Sequence, residues 1–403
     1  MKITSLIVKV ASRCNLNCTY CYMYNMGDET YKSQPKIMSN ITVENLLYRI
    51  KEHSELHKVD TMSIVFHGGE PMLTGMPFYE NFLSRAKKII PTNVQMDYLM
   101  QTNGVLLTEE WCLFLKEKNI VVGISMDSTP ESNDKYRIYH NGKGSYTDIL
   151  KGAENLSKTL VNQRPGFISV VDVETIPTEV YSHFKNINTG GISFLFPEAN
   201  YNHLEENYIL PDIGNWLIEL FDLWYTDKDE NKPDINPFTQ LIMLLLGTEN
   251  NYNELFGQGN CELAVIETNG SIETVDTLRV CGNGFTRTPL NVAKDKLDTL
   301  FESEIAQKYY YSHSDVCSKC KECPILEICG GGYLPHRYSK DNGFDNPSVY
   351  CNQIVQLVSH IQNKLLDSMS QDTLSDVCIE RMDAEEIIKY LNSLSFEENL
   401  VYA

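Results

Sequence analysis

CNLNCTYC, residues 14–21, puts three cysteines directly after the run MKITSLIVKV of residues 1–10, in which polar and apolar residues alternate. Alternation of that kind predicts a β-strand, so the thiols fall in the loop at the end of a first strand. β-rich apolar runs recur at 62–66, 94–100, 120–126, 167–173 and 191–196. Segments with helical spacing lie between most of them, at 42–57, 77–90, 108–118, 146–159 and 178–187. Six such units predict an α/β fold with a parallel sheet and helices outside it. A curved, incomplete barrel and an open doubly wound sheet both fit, and both bind ligands at the C-terminal strand ends. The polar motifs occur there: HGGEP (67–71) after the second strand, QTNG (101–104) after the third and SMDS (125–128) at the end of the fourth.

The chain has 403 residues, 42% apolar and 22% charged, enough for two or three domains or one large one with additions. No apolar run approaches the roughly eighteen residues of a membrane span, and the first strand lacks the cleavage region of a signal peptide. A cytoplasmic protein without a membrane partner is expected. The net charge of −20 argues against a nucleic-acid surface, which needs a basic footprint.

Twelve cysteines in a reducing compartment point to metal rather than to disulfides. Ten fall into spaced groups; Cys112 and Cys378 stand alone on plausible helices and read as packing residues. A structural zinc site wants four ligands in paired knuckles. Cys14, Cys18 and Cys21 supply three, which fits an iron–sulfur cluster better, with one iron left open to a co-substrate.

CNLNCTYC resembles the CxxxCxφC signature of the radical S-adenosylmethionine (SAM) enzymes, with Tyr20 as the aromatic residue. HGGEP resembles that family's GGE motif, and QTNG and SMDS stand where the family lines its SAM pocket. The resemblance covers roughly residues 3–200 and implies a partial (β/α)6 TIM-like barrel. It implies a [4Fe-4S] cluster on Cys14, Cys18 and Cys21, and a SAM site built from Gly68, Gly69, Glu70, Gln101, Asn103, Ser125 and Asp127. Arg137, in NDKYRIYHNGKGSY, matches an arginine that approaches the SAM carboxylate. Ser128 departs from the usual SxDG. His67 and Asp127 also have plain readings, as a strand-end histidine and a turn residue.

Cys261 and Cys281 flank a predicted hairpin with TNG (268–270) at its turn, and Cys317, Cys320, Cys323, Cys329 and Cys351 follow. This region resembles the SPASM extension of radical SAM enzymes, which holds auxiliary iron–sulfur clusters. The pattern CxxCx5Cx3C lies on Cys320, Cys323 and Cys329, with Cys351 as its outlier, and these would fill one cluster. Cys261, Cys281 and Cys317 remain for another, whose expected fourth cysteine is Tyr333. GGGYLPHRYS…GFDNPSVYC is similar to the cyclophane-forming enzymes that crosslink ribosomally made peptides. The expected activity is therefore oxidation of a precursor peptide at a side-chain β-carbon, with C–C bond formation to an aromatic ring. Thioether formation and conversion of a sulfatase residue to formylglycine are the alternatives. Asp276 is the candidate proton acceptor, and His336, Arg337 and Asp345 read as buttresses of the cluster loop. A flavodoxin or ferredoxin is the expected electron donor.

The expected division is a radical SAM core (1–200), a helical bridge (201–255), the SPASM region (256–365) and a helical tail (366–403). With the first strand at the start of the chain, no leader-recognition domain is expected ahead of it. KYYYSH (308–313) could line a peptide groove or form an ordinary half-buried edge.

Overall fold

The computed structural model describes residues 1–160, 164–248, 254–370 and 379–394, so Cys378 lies outside the described residues. The chain forms two compact units. The first comprises Met1–Val170, Ile187–Leu195 and Glu262–Tyr310. Its core is a parallel sheet of β1 (Ser5–Ala11), β2 (Thr61–Gly68), β3 (Gln95–Thr102), β4 (Ile120–Ser125), β5 (Gly166–Val170) and β6 (Gly191–Leu195), paired in chain order. This is the α/β architecture expected of a partial (β/α)6 barrel. Alternate residues of β2 are buried, Met62, Ile64 and Phe66 among them, as a pleated strand with one face in a core requires.

Helices α1 (Asn40–His57), α2 (Met76–Ile89), α3 (Glu109–Glu117), α4 (Pro130–Tyr136) and α5 (Tyr146–Thr159) occupy the connections. Side-chain oxygens of Ser39, Thr108 and Thr129 cap α1, α3 and α4, accepting from Thr42, Trp111 and Ser132. Cys112 is fully buried on α3, as a packing residue.

The strand Leu263–Ile266 pairs in parallel with the free edge of β1, Ser5 opposite Leu263, and turns back antiparallel into Ile272–Glu273. The hairpin is shorter than its sequence suggests, because Asp276–Cys281 forms a 3-10 helix. That pairing places residues 262–310 in the first unit, where the linear division assigned them to the SPASM region. A parallel edge joins segments far apart in sequence, so the boundaries interleave.

The second unit comprises Val171–Asn186, Phe196–Cys261 and Tyr311–Ala403. Its helix Cys351–Asp367 packs on Ile213–Thr226, Asn236–Leu245 and Ala384–Leu394. The Gln353 amide oxygen accepts from the backbone of Ile213 and Gly214 at 2.8 and 3.2 Å, anchoring one helix start to the other. No helix among the described residues is long and apolar enough to cross a membrane.

Candidate functional site

In the first unit, Cys14, Cys18 and Cys21 lie in the loop leaving β1, half-buried and free of disulfides. Segment 136–139 tethers that loop: Asn17 N–H donates to Ile138 O at 2.7 Å and Thr19 N–H to Tyr136 O at 2.9 Å. The same tether brings Arg137 beside Cys18, whose thiol burial pushes up and the guanidinium pulls back. Burial, then the charge of Glu70, pushes Cys14 up to about 12, and burial with repulsion from Cys18 pushes Cys21 up to about 11. Three neighbouring thiols are a donor set for a cluster, and the protons they hold by burial must be displaced when metal binds.

The loop after β2 runs against the end of β1. A Cβ on Gly69 would lie 2.3 Å from Arg13 O and 2.2 Å from the Tyr24 hydroxyl, and one on Gly68 (φ +131°) 2.0 Å from Ala11 O. Only glycine allows this approach. Glu70 is fully buried and serves as the tie between strand ends. Its carboxylate accepts from Met72 N (3.0 Å), Asn103 N (2.9 Å) and Thr102 Oγ1 (2.8 Å). Burial pushes the group up to about 7 against those three bonds. Glu70→Ala is expected to cost about 1–3 kcal/mol for each donor left unsatisfied. The loss is read as a lower melting temperature.

At the next strand ends, Gln101 donates to Ser125 Oγ at 2.8 Å, and Asn103 donates to Asn15 Oδ1 at 2.8 Å. Asp127 accepts from the Tyr20 hydroxyl, from Arg137 Nε at 3.2 Å and from Val170 N at 3.0 Å. Arg137 also lies over the Tyr20 ring, 5.6 Å from its centre. Asp127 thus organises the aromatic residue of the cysteine motif and the arginine together. Ser128 is buried and outside the positive-φ residues, so its side chain is accommodated without backbone strain.

Asp276 is buried and pairs with the Lys9 ammonium, and the Tyr22 hydroxyl donates to it at 2.8 Å. Burial opposes ionisation, but the Lys9 ammonium, with Arg279 behind it, holds the carboxyl well below its usual range. Lys9 stands opposite His67 across the β1–β2 pair. Burial pulls His67 down to about 4, so it is neutral at physiological pH. Behind Asp276, buried Arg279 binds Asp28 (3.2 Å), Glu267 (2.5 Å) and Glu273 (3.2 Å). The chain just past the cysteine motif is thereby fixed to the segment that carries Asp276. Sequence reading missed Lys9, Tyr22, Tyr24 and Arg279; the one available signal was a lysine in a strand bounded by apolar residues.

In the second unit, Cys320, Cys323, Cys329 and Cys351 line one cavity together with Ile325, Leu326, Val355 and Leu391. Burial pushes Cys351 up to about 11, and Cys323 and Cys329 also rise. Cys317 shares a proton with Cys320, which holds Cys317 low and drives Cys320 up. Four thiols on one cavity are a donor set for iron–sulfur or zinc. Arg337, fully buried, donates to Ser312 O and Asp315 O at 2.7 Å each, bracing the chain that leads to the cysteines. Tyr333 packs edge-on against His336, ring centres 5.1 Å apart. The other three expected ligands divide between the units: Cys281 in the first, Cys261 and Cys317 in the second. In KYYYSH, Tyr309 and Tyr310 are buried and Tyr311 is exposed.

A model of the radical SAM superfamily matches residues 8–180. The chain is 30% identical over 361 residues to a cysteine-type anaerobic sulfatase-maturating enzyme of Clostridium novyi, covering 87% of this chain and 93% of that enzyme. It is 26% identical over 399 residues to a serine-type enzyme of the same description from Bacteroides thetaiotaomicron, covering 92% of each. The structure of anSMEcpe with bound AdoMet superposes with a TM-score of 0.75 at 26% identity, over 90% of this chain and 98% of that one.

Proposed function

The chain belongs to the radical SAM superfamily, and from that premise we propose that it is a protein or peptide maturase that oxidises a side chain at its β-carbon, with formylglycine as product. The observation that carries this reading is similarity along nearly the whole length of sulfatase-maturating enzymes of both the cysteine and the serine type. SAM on a reduced [4Fe-4S] cluster supplies a 5′-deoxyadenosyl radical able to take hydrogen from a strong C–H bond.

In this proposal Cys14, Cys18 and Cys21 hold that cluster. The Gly68–Glu70 loop presents its backbone to the SAM amino group, and Gln101, Asn103 and Ser125 line the pocket. Arg137, oriented by Asp127 and Tyr20, offers positive charge to the carboxylate. Asp276, kept ionised by Lys9, accepts the proton that the substrate loses. Cys320, Cys323, Cys329 and Cys351 would hold an auxiliary cluster, which would supply a site for the electron left over from the oxidation. A flavodoxin or ferredoxin serves as the external donor.

A second reading, a cyclophane crosslink in a ribosomal precursor peptide, is favoured by Tyr333. It occupies the position of the last cysteine in CxxCx5Cx3C, which formylglycine-generating relatives usually keep.

The test is anaerobic incubation of reconstituted enzyme with SAM, reductant and either a sulfatase peptide or an aromatic-containing precursor peptide. An aldehyde trapped by a hydrazide supports formylglycine. A peptide lighter by two hydrogens that no hydrazide traps moves the assignment to crosslinking. Absence of 5′-deoxyadenosine from iron-loaded, reduced enzyme overturns both. Asp276→Asn is expected to keep making 5′-deoxyadenosine while peptide product falls about 10²-fold or more, the usual scale for a lost proton acceptor.

A further inference from the structure

Away from the strand ends, α1 carries His53 and His57 four residues apart, on one helical face. Asp298, in the 3-10 helix Leu297–Glu302, reaches both. Its Oδ2 lies 3.2 Å from His53 Nδ1, and its Oδ1 contacts His57 Nε2. The imidazoles lie with ring centres 4.5 Å apart. All three donor atoms fall within 4.8 Å of one another.

His53 is buried, and its Nε2 faces the backbone of Ile3, 2.9 Å from the nitrogen and 3.1 Å from the oxygen. Ile3 N–H donates to Nε2 in the metal-free chain, so Nδ1 is the nitrogen that faces the cluster; an ion that binds there takes the ring to the tautomer whose Nε2–H donates to Ile3 O. A metal-bound histidine is commonly oriented by such a backbone acceptor. His57 and Asp298 are each about a quarter exposed, so an ion has access and water can complete its coordination. Two imidazoles and one carboxylate, without sulfur, suit a zinc-like ion with open positions.

We propose that His53, His57 and Asp298 form a site for a divalent transition metal, separate from the iron–sulfur cysteines. The ion fastens α1 to the segment that follows the added edge strand. Nothing in this assignment depends on which peptide reaction the enzyme performs.

The test uses reconstituted holoenzyme washed with chelator, then titrated anaerobically with zinc chloride against a chromophoric competitor. One zinc per chain is expected, with a rise in melting temperature. Zinc K-edge absorption should show nitrogen and oxygen neighbours only, at about 2.0–2.1 Å. His57→Ala and Asp298→Asn should each weaken zinc binding at least tenfold. Both should leave cluster absorbance, 5′-deoxyadenosine formation and the zinc-free melting temperature near those of the parent. If the parent takes up no zinc, or binds it through sulfur, or if the two variants bind it as tightly, the three side chains are a hydrogen-bonded group only and the proposal fails. Should either variant fold poorly, the absorption spectrum of the parent still decides.

Discussion

Cys18→Ala abolishes SAM cleavage and leaves the iron held by Cys320, Cys323, Cys329 and Cys351 in place: that is the expected result, and Cys14→Ala and Cys21→Ala should behave alike. In the proposed assignment two thiolates would be left for a cluster that takes three, and Cys320, Cys323, Cys329 and Cys351 belong to the second compact unit. Iron analysis and 5′-deoxyadenosine measured on the same sample check it; continued 5′-deoxyadenosine formation would place the SAM cluster elsewhere. The thiols also fix a pH dependence. Cys14 and Cys21 rise from 9.0 to about 12 and about 11 through burial. Cluster assembly near neutrality therefore displaces their protons, and it strengthens as pH rises. For the cluster-free chain the sign is opposite. Raised values stabilise it below pH 9.0, and that contribution is lost as pH climbs toward 11 and 12. Proton release during reconstitution in weak buffer, and alkaline unfolding of the iron-free chain, measure the two halves separately.

Arg279→Leu is the second large effect. The guanidinium is 1% exposed and faces three carboxylates, Asp28, Glu267 and Glu273, themselves at most 2% exposed. Burial and the neighbouring charge of Glu267 already push Glu273 up. Breaking a buried ionic group by removing one partner costs about 3–5 kcal/mol, a large part of the 5–15 kcal/mol that holds a typical domain folded. The chain beyond the cysteine motif loses its anchor along with the segment carrying Asp276. SAM cleavage should therefore fall together with the denaturation midpoint. Lys32→Ala, which removes an exposed pair with Glu29, should leave that midpoint unmoved. Equal midpoints for the two variants would show that the buried group is not structural.

The fold was legible because its signals are local. Alternation marked β1, and glycine-rich loops marked the ends of β2 and β3, to within two or three residues. The cysteine spacing carried the cofactor chemistry for the same reason. What was not legible is what distant segments contribute to one another. Lys9 reads as the polar partner of an alternating strand, yet it is buried, since Asp276 arrives from far along the chain to neutralise it. The strand Leu263–Ile266 reads as part of a self-contained hairpin, yet one side of it completes the sheet at β1. The His53–Asp298 contact is invisible in the same way. Tyr333 was legible as a departure from a pattern, and similarity to sulfatase-maturating enzymes weighed against the crosslinking reading that it suggested.

The seam between β1 and Leu263–Ile266 has a consequence during synthesis. β1 is made before its partners, and β2 can cover one side of it soon afterwards, Ser5 against Ser63. Its other side must wait for Leu263 to leave the ribosome. At ~5–20 residues per second that delay is on the order of tens of seconds. For that time the nascent chain presents an unpaired apolar edge, open to chaperones and to neighbouring chains alike.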